Sequence, residues 1–415
     1  MLLFHAAFLL LLGGTTAFFV GLSALNVRHA SRRIEARADW LEATLGVDDP
    51  EQVQAYHRLR TATGQLRSVL SLLGVLVVLY SGLFGDVVAA LSAVGGDLVA
   101  GVLLLVVLVV ASQLFALPFE VVETFGIEAA FGFNEQTPRL FVRDTLLGAG
   151  ISVVLTAVVG GAILAVLEWV PGWWWLAATG VVALVVLASQ VLVPRVIMPL
   201  FYDFDPVEAG DLREAVETVF DRAGFTCEDV YEMNASSRSG HSNAFFVGFG
   251  PAKRVVLYDT LIEQLETPQL QAVLAHELAH WKRGHVWQRL GVTVLQAGIF
   301  LAAAQFLLGQ SWLSAMFGVP DLPAAGLVLA ALWLQPLADL SSPLSNRLSL
   351  ANERAADDFA ADVMGEGGPL AEALLTLQRE NLGNPFPHPW YELFHYQHPP
   401  VTERVRELGG TEQNG

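Results

Sequence analysis

The sequence predicts a mainly α-helical, polytopic membrane protein with seven spans and a polar domain. That domain is inserted between spans five and six and completed after span seven. Three observations predict it. Hydrophobic residues make up 53% of the 415 residues, charged residues only 15%, and mean hydropathy is +0.49; a soluble domain carries about 25% charged residues. Seven stretches reach the roughly 20 apolar residues that a spanning helix needs. The remaining charge, formally −18, is then concentrated between them.

The spans read as 2–25, 68–92, 97–118, 145–169, 173–197, 286–309 and 323–344. The first has no basic segment before it and no Ala-x-Ala after it, so it reads as a retained anchor. Five spans therefore occupy 1–197, a polar domain 198–285, two spans 286–344 and a second polar part 345–408; the Gly-, Glu- and Asn-rich tail 409–415 reads as disordered. The first loop, about 27–67, reads as helical and carries Arg28, Arg32, Arg33, Arg37, Arg58, Arg60 and Arg67, which places it in the cytoplasm and the N-terminus outside. Counting onward, 198–285 and 345–415 also fall inside, as expected of a multi-pass protein of the cell membrane. The odd number of spans brings both polar parts to one side.

Lys253 and Lys282 are the only lysines, and such acid-rich, lysine-poor exposed segments suit a high-salt cytoplasm. The same acidity argues against a nucleic-acid partner. Cys227 is the single cysteine, so a disulfide within the chain and a thiolate zinc cage are both excluded. A metal must be held by His and carboxylates.

Such a set exists. The segment Thr267–His276 reads as a helix start, with Thr267 as N-cap, Pro268 at the first helical position and Leu270, Val273, Leu274 and Leu278 as the buried stripe of the helix. His276 and His280 of the run His276-Glu277-Leu278-Ala279-His280 are four apart, so both imidazoles share a face and can bind one zinc ion. Glu277 is displaced from that face and suits a general base. The alternative is a helix whose polar face happens to spell the pattern. His285, nine residues past His276, would fall on the opposite side of a continuous helix and is not expected to ligate; Trp281 and Trp287 read as interfacial anchors.

A catalytic zinc needs a third protein ligand. Glu353 is the candidate, with Asp357 one turn on as acceptor for a ligating imidazole. The competing reading is a solvated acidic face, which is also the reading for Asp358 and Asp362. Asn243–Phe249 and Arg254–Tyr258 read as strands joined across Gly250-Pro251. An edge strand there could pair with an extended substrate backbone, or the hairpin could be structural only.

These residues resemble the type I CAAX prenyl proteases, seven-span gluzincin metalloproteases, over nearly the whole chain. Similar stretches are His276–His285, Asn346–Asp357, the loop Phe131–Thr137, Ser239–Phe246 and His395–Pro400. Asn134 and Gln136 in that loop read as structural, since a polar loop at membrane depth must satisfy its own backbone. The resemblance implies a hollow helical barrel capped by the protease domain, and one zinc held by His276, His280 and Glu353, with Glu277 as base and Asp357 as acidic partner. It further implies that Asn243 and His398 stabilise the oxyanion, a role worth about 2.7–4 kcal/mol per donor. His241, Ser242, Asn243, Ala244 and Phe245 would line the substrate. The family acts on polypeptides, removing the C-terminal tripeptide of prenylated ones. One departure is Leu350, where the family usually has Arg; neighbouring Arg347 or Arg354 could supply that charge, and the departure bears on local ion-pairing and removes no zinc ligand.

A broad quality-control protease of membrane polypeptides is the rival enzymatic reading. The extra N-terminal spans and the 131–137 loop weigh against it. A transporter would show internal repeats, and none is found. A catalytically dead scaffold would have lost Glu277 or a ligand, and all are present.

Overall fold

The computed structural model describes residues 1–46, 49–226, 229–247 and 254–409. Cys227, Lys253, the Gly250-Pro251 turn and residues 410–415 of the tail lie outside the described residues. Seven helices are long and apolar enough to cross a membrane: α1 (Leu2–Ala36), α2 (Pro50–Tyr80), α4 (Asp97–Glu128), α5 (Pro138–Trp169), α6 (Trp174–Leu200), α10 (His285–Leu308) and α11 (Pro323–Met364). A short helix, α3 (Leu83–Ser92), follows α2.

The second span differs from the expected 68–92. Gly82 adopts a left-handed conformation (φ 86°) that breaks the helix, and α2 instead extends back to Pro50, with Asp49 accepting from the N–H groups of Glu51 and Gln52. Arg58, Arg60 and Arg67 therefore ride on a spanning helix, and most of the first loop is the continuation of α1 and α2.

The spans pack around Phe8, Leu104, Trp174, Ala178, Leu313 and Leu329. Large apolar side chains elsewhere on them stay exposed, such as Leu146, Val158, Leu184 and Leu295, as a lipid-solvated surface requires.

The polar domain is built on a four-stranded sheet of order β1-β2-β4-β3, with β1 Phe204–Pro206, β2 Asp229–Met233, β3 Ala244–Val247 and β4 Arg254–Tyr258. The expected antiparallel pairing of β3 with β4 is present, and β4 also pairs in parallel with β2. Helices α7 (Asp211–Ala223), α8 (Asp259–Gln264), α9 (Thr267–Lys282), α12 (Gly368–Glu380), α13 (Pro389–His395) and α14 (Val401–Glu407) complete it. The predicted stripe of α9 is buried: Leu270, Val273, Leu274 and Leu278 pack with Val216, Phe220, Val255, Leu257 and Leu374.

Two features position the site. Helix α11 runs for 42 residues without interruption, about 63 Å at 1.5 Å per residue. It crosses the apolar zone and carries Glu353 and Asp357 back against α9. The loop 131–137 then ties the membrane part to the approach to β3. Gly240 N–H donates to the Phe133 carbonyl (3.0 Å), Glu135 N–H to the Arg238 carbonyl (3.2 Å), and Arg238 is paired with Asp144 (2.8 Å). Asn134 Oδ1 accepts from Gln136 N–H (3.0 Å) and Gln136 Nε2 donates to Asp144 (3.2 Å), so this loop does satisfy its own polar groups.

Candidate active site

Helix α9 starts one residue earlier than expected. Glu266, not Thr267, is the N-cap, forming a reciprocal capping box with Gln269, while Thr267 and Pro268 are the first helical positions. The helix ends at Lys282 because Gly284 turns left-handed (φ 74°). The chain therefore restarts as α10 at His285, and the angular argument that sent His285 to the far side does not apply. His285 Nδ1 lies 3.1 Å from His280 Nδ1 and orients that ring. Trp281 is likewise not an anchor: it packs edge-on against Phe225 in the protease core. Trp287 is 56% exposed at the start of α10, where an interfacial anchor belongs.

His276, His280 and Glu353 converge. His276 Nε2 is 3.3 Å from His280 Nε2, His276 Nε2 is 3.3 Å from Glu353 Oε2, and His280 Nε2 is 3.3 Å from Glu353 Oε1. Ligands about 2.0–2.1 Å from one tetrahedral ion stand about 3.3–3.4 Å apart, so the three donors are already at ligand spacing. Glu353 is only 1% exposed, and its Oε2 has no aligned hydrogen-bond donor, although His398 Nδ1 approaches it at 2.6 Å. A buried carboxylate oxygen so placed calls for a cation. The residues present fit zinc.

The surroundings set the tautomer. His276 Nδ1 donates to Asp357 Oδ1 at 2.8 Å, which leaves Nε2 to face Glu353 and His280. Burial by itself would lower the His276 pKa, but hydrogen bonds to Asp357 and Glu353 outweigh it and raise it to about 9. Burial and the neighbouring His276 push His280 down to about 4. Burial also raises the Glu277 pKa, partly offset by His276. A base with a raised pKa is a stronger proton acceptor near neutral pH.

Sequence reasoning missed Arg404. Its guanidinium forks onto Asp357, Nε to Oδ2 at 2.8 Å and Nη2 to Oδ1 at 2.6 Å, and it is 6% exposed. Among the described residues neither Arg347 nor Arg354 pairs with Asp357. Arg354 is instead paired with Glu403 and Glu407 at 2.5 and 3.6 Å. The signal was present, because Arg404 falls between Val401, Val405 and Leu408 on the apolar stripe of α14. Arg404→Met strands a buried carboxylate and should destabilise the protein by about 3–5 kcal/mol, with metal affinity falling about 10–100-fold. Arg404→Lys should recover part of both. Thermal unfolding and zinc titration against a competing chelator check this; wild-type values for the Met variant would exclude the pairing role.

The substrate-side residues are distributed differently from expectation. His241 does not present its ring to a groove. Nε2 is 3.3 Å from Glu128 Oε2, Nδ1 is 2.6 Å from Asn381 Oδ1, and the ring stacks on Phe133 at 4.5 Å. The Glu128 hydrogen bond raises its pKa, and the contacts at both ring nitrogens tie α4 to the protease part. Ser242 Oγ donates to Gln264 (2.7 Å) and Ala244 is buried. Asn243 is exposed at the head of β3, which packs on α9, and its Oδ1 accepts from Ala244 N–H (2.9 Å). Phe245 is half-buried beside Tyr258 on the edge strand β3. Asn243 makes no hydrogen bond to the ligand cluster among the described residues, whereas His398 touches it directly.

Seven spans and an interrupted polar domain that closes a His-His-Glu cluster beside a half-buried glutamate define a membrane metalloprotease. The comparisons agree. Residues 206–412 match the peptidase family M48 model and residues 26–203 match the model described as CAAX prenyl protease N-terminal, five membrane helices. The chain is 37% identical over 302 residues to a CAAX prenyl protease 1 homolog of Oryza sativa, covering 72% of this chain and 70% of that one. It is 30% identical over 319 residues to CAAX prenyl protease 1 of Saccharomyces cerevisiae, covering 72% and 69%. The crystal structure of S. mikatae Ste24p superposes with a TM-score of 0.85 at 25% identity, over 97% of this chain and 98% of that one. The chain belongs to peptidase family M48, and is a membrane zinc metalloprotease of the CAAX protease type, its spans forming the same helical barrel.

Proposed function

We propose that this protein hydrolyses peptide bonds near the C-terminus of prenylated polypeptides, with its active site facing the cytoplasm and its N-terminus outside. The single observation that carries the chemistry is the mutual 3.3 Å spacing of the donor atoms of His276, His280 and Glu353. The prenylated substrate rests on the names of the relatives. The cytoplasmic orientation is supported by the arginines of the first loop and the base of α2.

His276, His280 and Glu353 would hold the zinc, which would supply a Lewis acid and make an attacking water more acidic. Asp357 and Arg404 fix the His276 ring so that Nε2 points to the cluster. Glu277 takes the proton of the attacking water on its carboxylate and returns it to the leaving amine nitrogen. His398 and the Asn243 side-chain amide donate to the oxygen that becomes negative in the tetrahedral intermediate. The outer edge of β3, the last strand of the sheet among the described residues, pairs with the substrate backbone, so binding there does not depend on side-chain sequence.

A peptide panel tests the reading. Peptides ending in a farnesylated or geranylgeranylated Cys-a-a-X motif should be cleaved at least about tenfold faster (kcat/KM) than their unprenylated counterparts, a difference of about 1.4 kcal/mol in transition-state binding. Activity should vanish on chelation and return with zinc. Equal cleavage of both peptide sets would support broad quality control of membrane polypeptides instead. Chelator-insensitive cleavage would refute the metal assignment itself.

A further inference from the structure

We infer that the groove between α1 and α2, at the polar end of the spans, binds the phosphate headgroup of an anionic phospholipid. The two helices run antiparallel in a register fixed by two contacts: Gln65 Nε2 donates to the Val20 carbonyl (3.2 Å), and Arg58 Nη2 to Ser31 Oγ (3.1 Å). That register brings Arg28 and Arg32, one turn apart on α1, level with Arg58 on α2. All three line a groove of about 400 Å³, which Ala24, Val27 and Ala62 also line.

Charge and position both point to a lipid. None of the three guanidinium groups meets a carboxylate within 4.0 Å among the described residues; Arg60, two residues from Arg58 on α2, is instead held by Glu123 and Glu128 at 3.3 and 3.7 Å. Arg58 is pre-oriented by Ser31 and by Gln54 Oε1 (2.9 Å), which leaves it N–H groups for an anion. Guanidinium groups match phosphate oxygens in a two-pronged fashion. Leu25, Leu59 and Leu66, each next in sequence to a residue that lines the groove, are 44%, 48% and 55% exposed, a surface suited to acyl chains. The apolar run of α1 ends at Val27, so Arg28 and Arg32 occupy the first two turns beyond it, at headgroup depth. Setting membrane orientation needs only the number of arginines; it does not need three of them converging on one groove open to lipid.

The test uses the full-length protein, delipidated in detergent and then exposed to phosphatidylglycerol, phosphatidylcholine or inorganic phosphate. The readouts are lipid retained by native mass spectrometry and the thermal unfolding midpoint. Phosphatidylglycerol should be retained and raise the midpoint, while phosphatidylcholine and inorganic phosphate should not. The triple variant Arg28→Gln, Arg32→Gln, Arg58→Gln should retain the anionic lipid roughly a hundred-fold less well, as expected for the loss of three juxtamembrane charges. The corresponding triple Lys variant, which keeps the charge and loses the two-pronged fit, should bind between wild type and the Gln variant, which separates loss of charge from misfolding. Undiminished retention by the Gln variant, or equal retention of phosphatidylcholine, would overturn the site. A midpoint rise with inorganic phosphate alone would overturn the lipid as its source.

Discussion

Glu277→Gln is expected to lower kcat by about a hundred- to ten-thousand-fold, the usual contribution of a general base, while zinc content and thermal stability stay at wild-type levels. Glutamine has the shape of glutamate and keeps one acceptor oxygen, so the half-buried position in α9 stays filled. The proposed ligand atoms belong to His276, His280 and Glu353, whose mutual spacing does not involve Glu277. Only the capacity to accept a proton is removed. Burial already raises the Glu277 pKa, so a neutral side chain there adds no desolvation cost and the helix should tolerate it. The check pairs steady-state hydrolysis of a fluorogenic peptide with metal analysis of the same sample. Turnover within a few-fold of wild type would remove Glu277 from the base role; loss of zinc together with turnover would make it a structural support of the cluster.

Much of this site was legible because its chemistry is written at short range. The four-residue spacing of His276 and His280 on one helix face fixes their convergence whatever the rest of the fold does. The count of spans brought Glu353 to the same side, and the 42-residue helix α11 delivers it. What sequence reasoning missed depends on where helices stop and on contacts between distant segments. The break at Gly284 needed only one residue in a left-handed conformation, yet it turned His285 from a bystander into a partner of His280. The break at Gly82 moved the second span by several turns through the same device. Strands β1 and β2 are short and half-polar, so they carry no clear alternation; they exist because β4 offers an edge and β1 then covers β2. Arg404 and Asp357 lie 47 residues apart in sequence, and no local pattern pairs them. Likewise His241 sits in a motif that resembles a substrate loop, but Glu128 and Asn381, 113 and 140 residues away, decide what its ring does.

Glu353→Gln applies the same chemical change as Glu277→Gln, carboxylate to amide, to the second helix of the site, and the expected outcome is different. Zinc should be lost on dialysis and hydrolysis should fall below detection, with affinity reduced by more than the 10–100-fold that outer partners of metal ligands typically contribute. Glu353 faces both imidazoles at 3.3 Å and is 1% exposed, so its negative charge is the only one presented to the cluster from α11 at ligand distance. Asp357 cannot substitute, being held by His276 Nδ1 and the Arg404 fork. The amide also leaves His398 Nδ1, 2.6 Å from Glu353 Oε2, without its carboxylate. Excess zinc should restore part of the activity of Glu353→Gln, since two ligands remain, and none of the activity of Glu277→Gln, since metal was never what that variant lacked. Zinc at one equivalent after dialysis of Glu353→Gln would place the third ligand elsewhere and would undo the reading of α11 as the helix that completes the metal site.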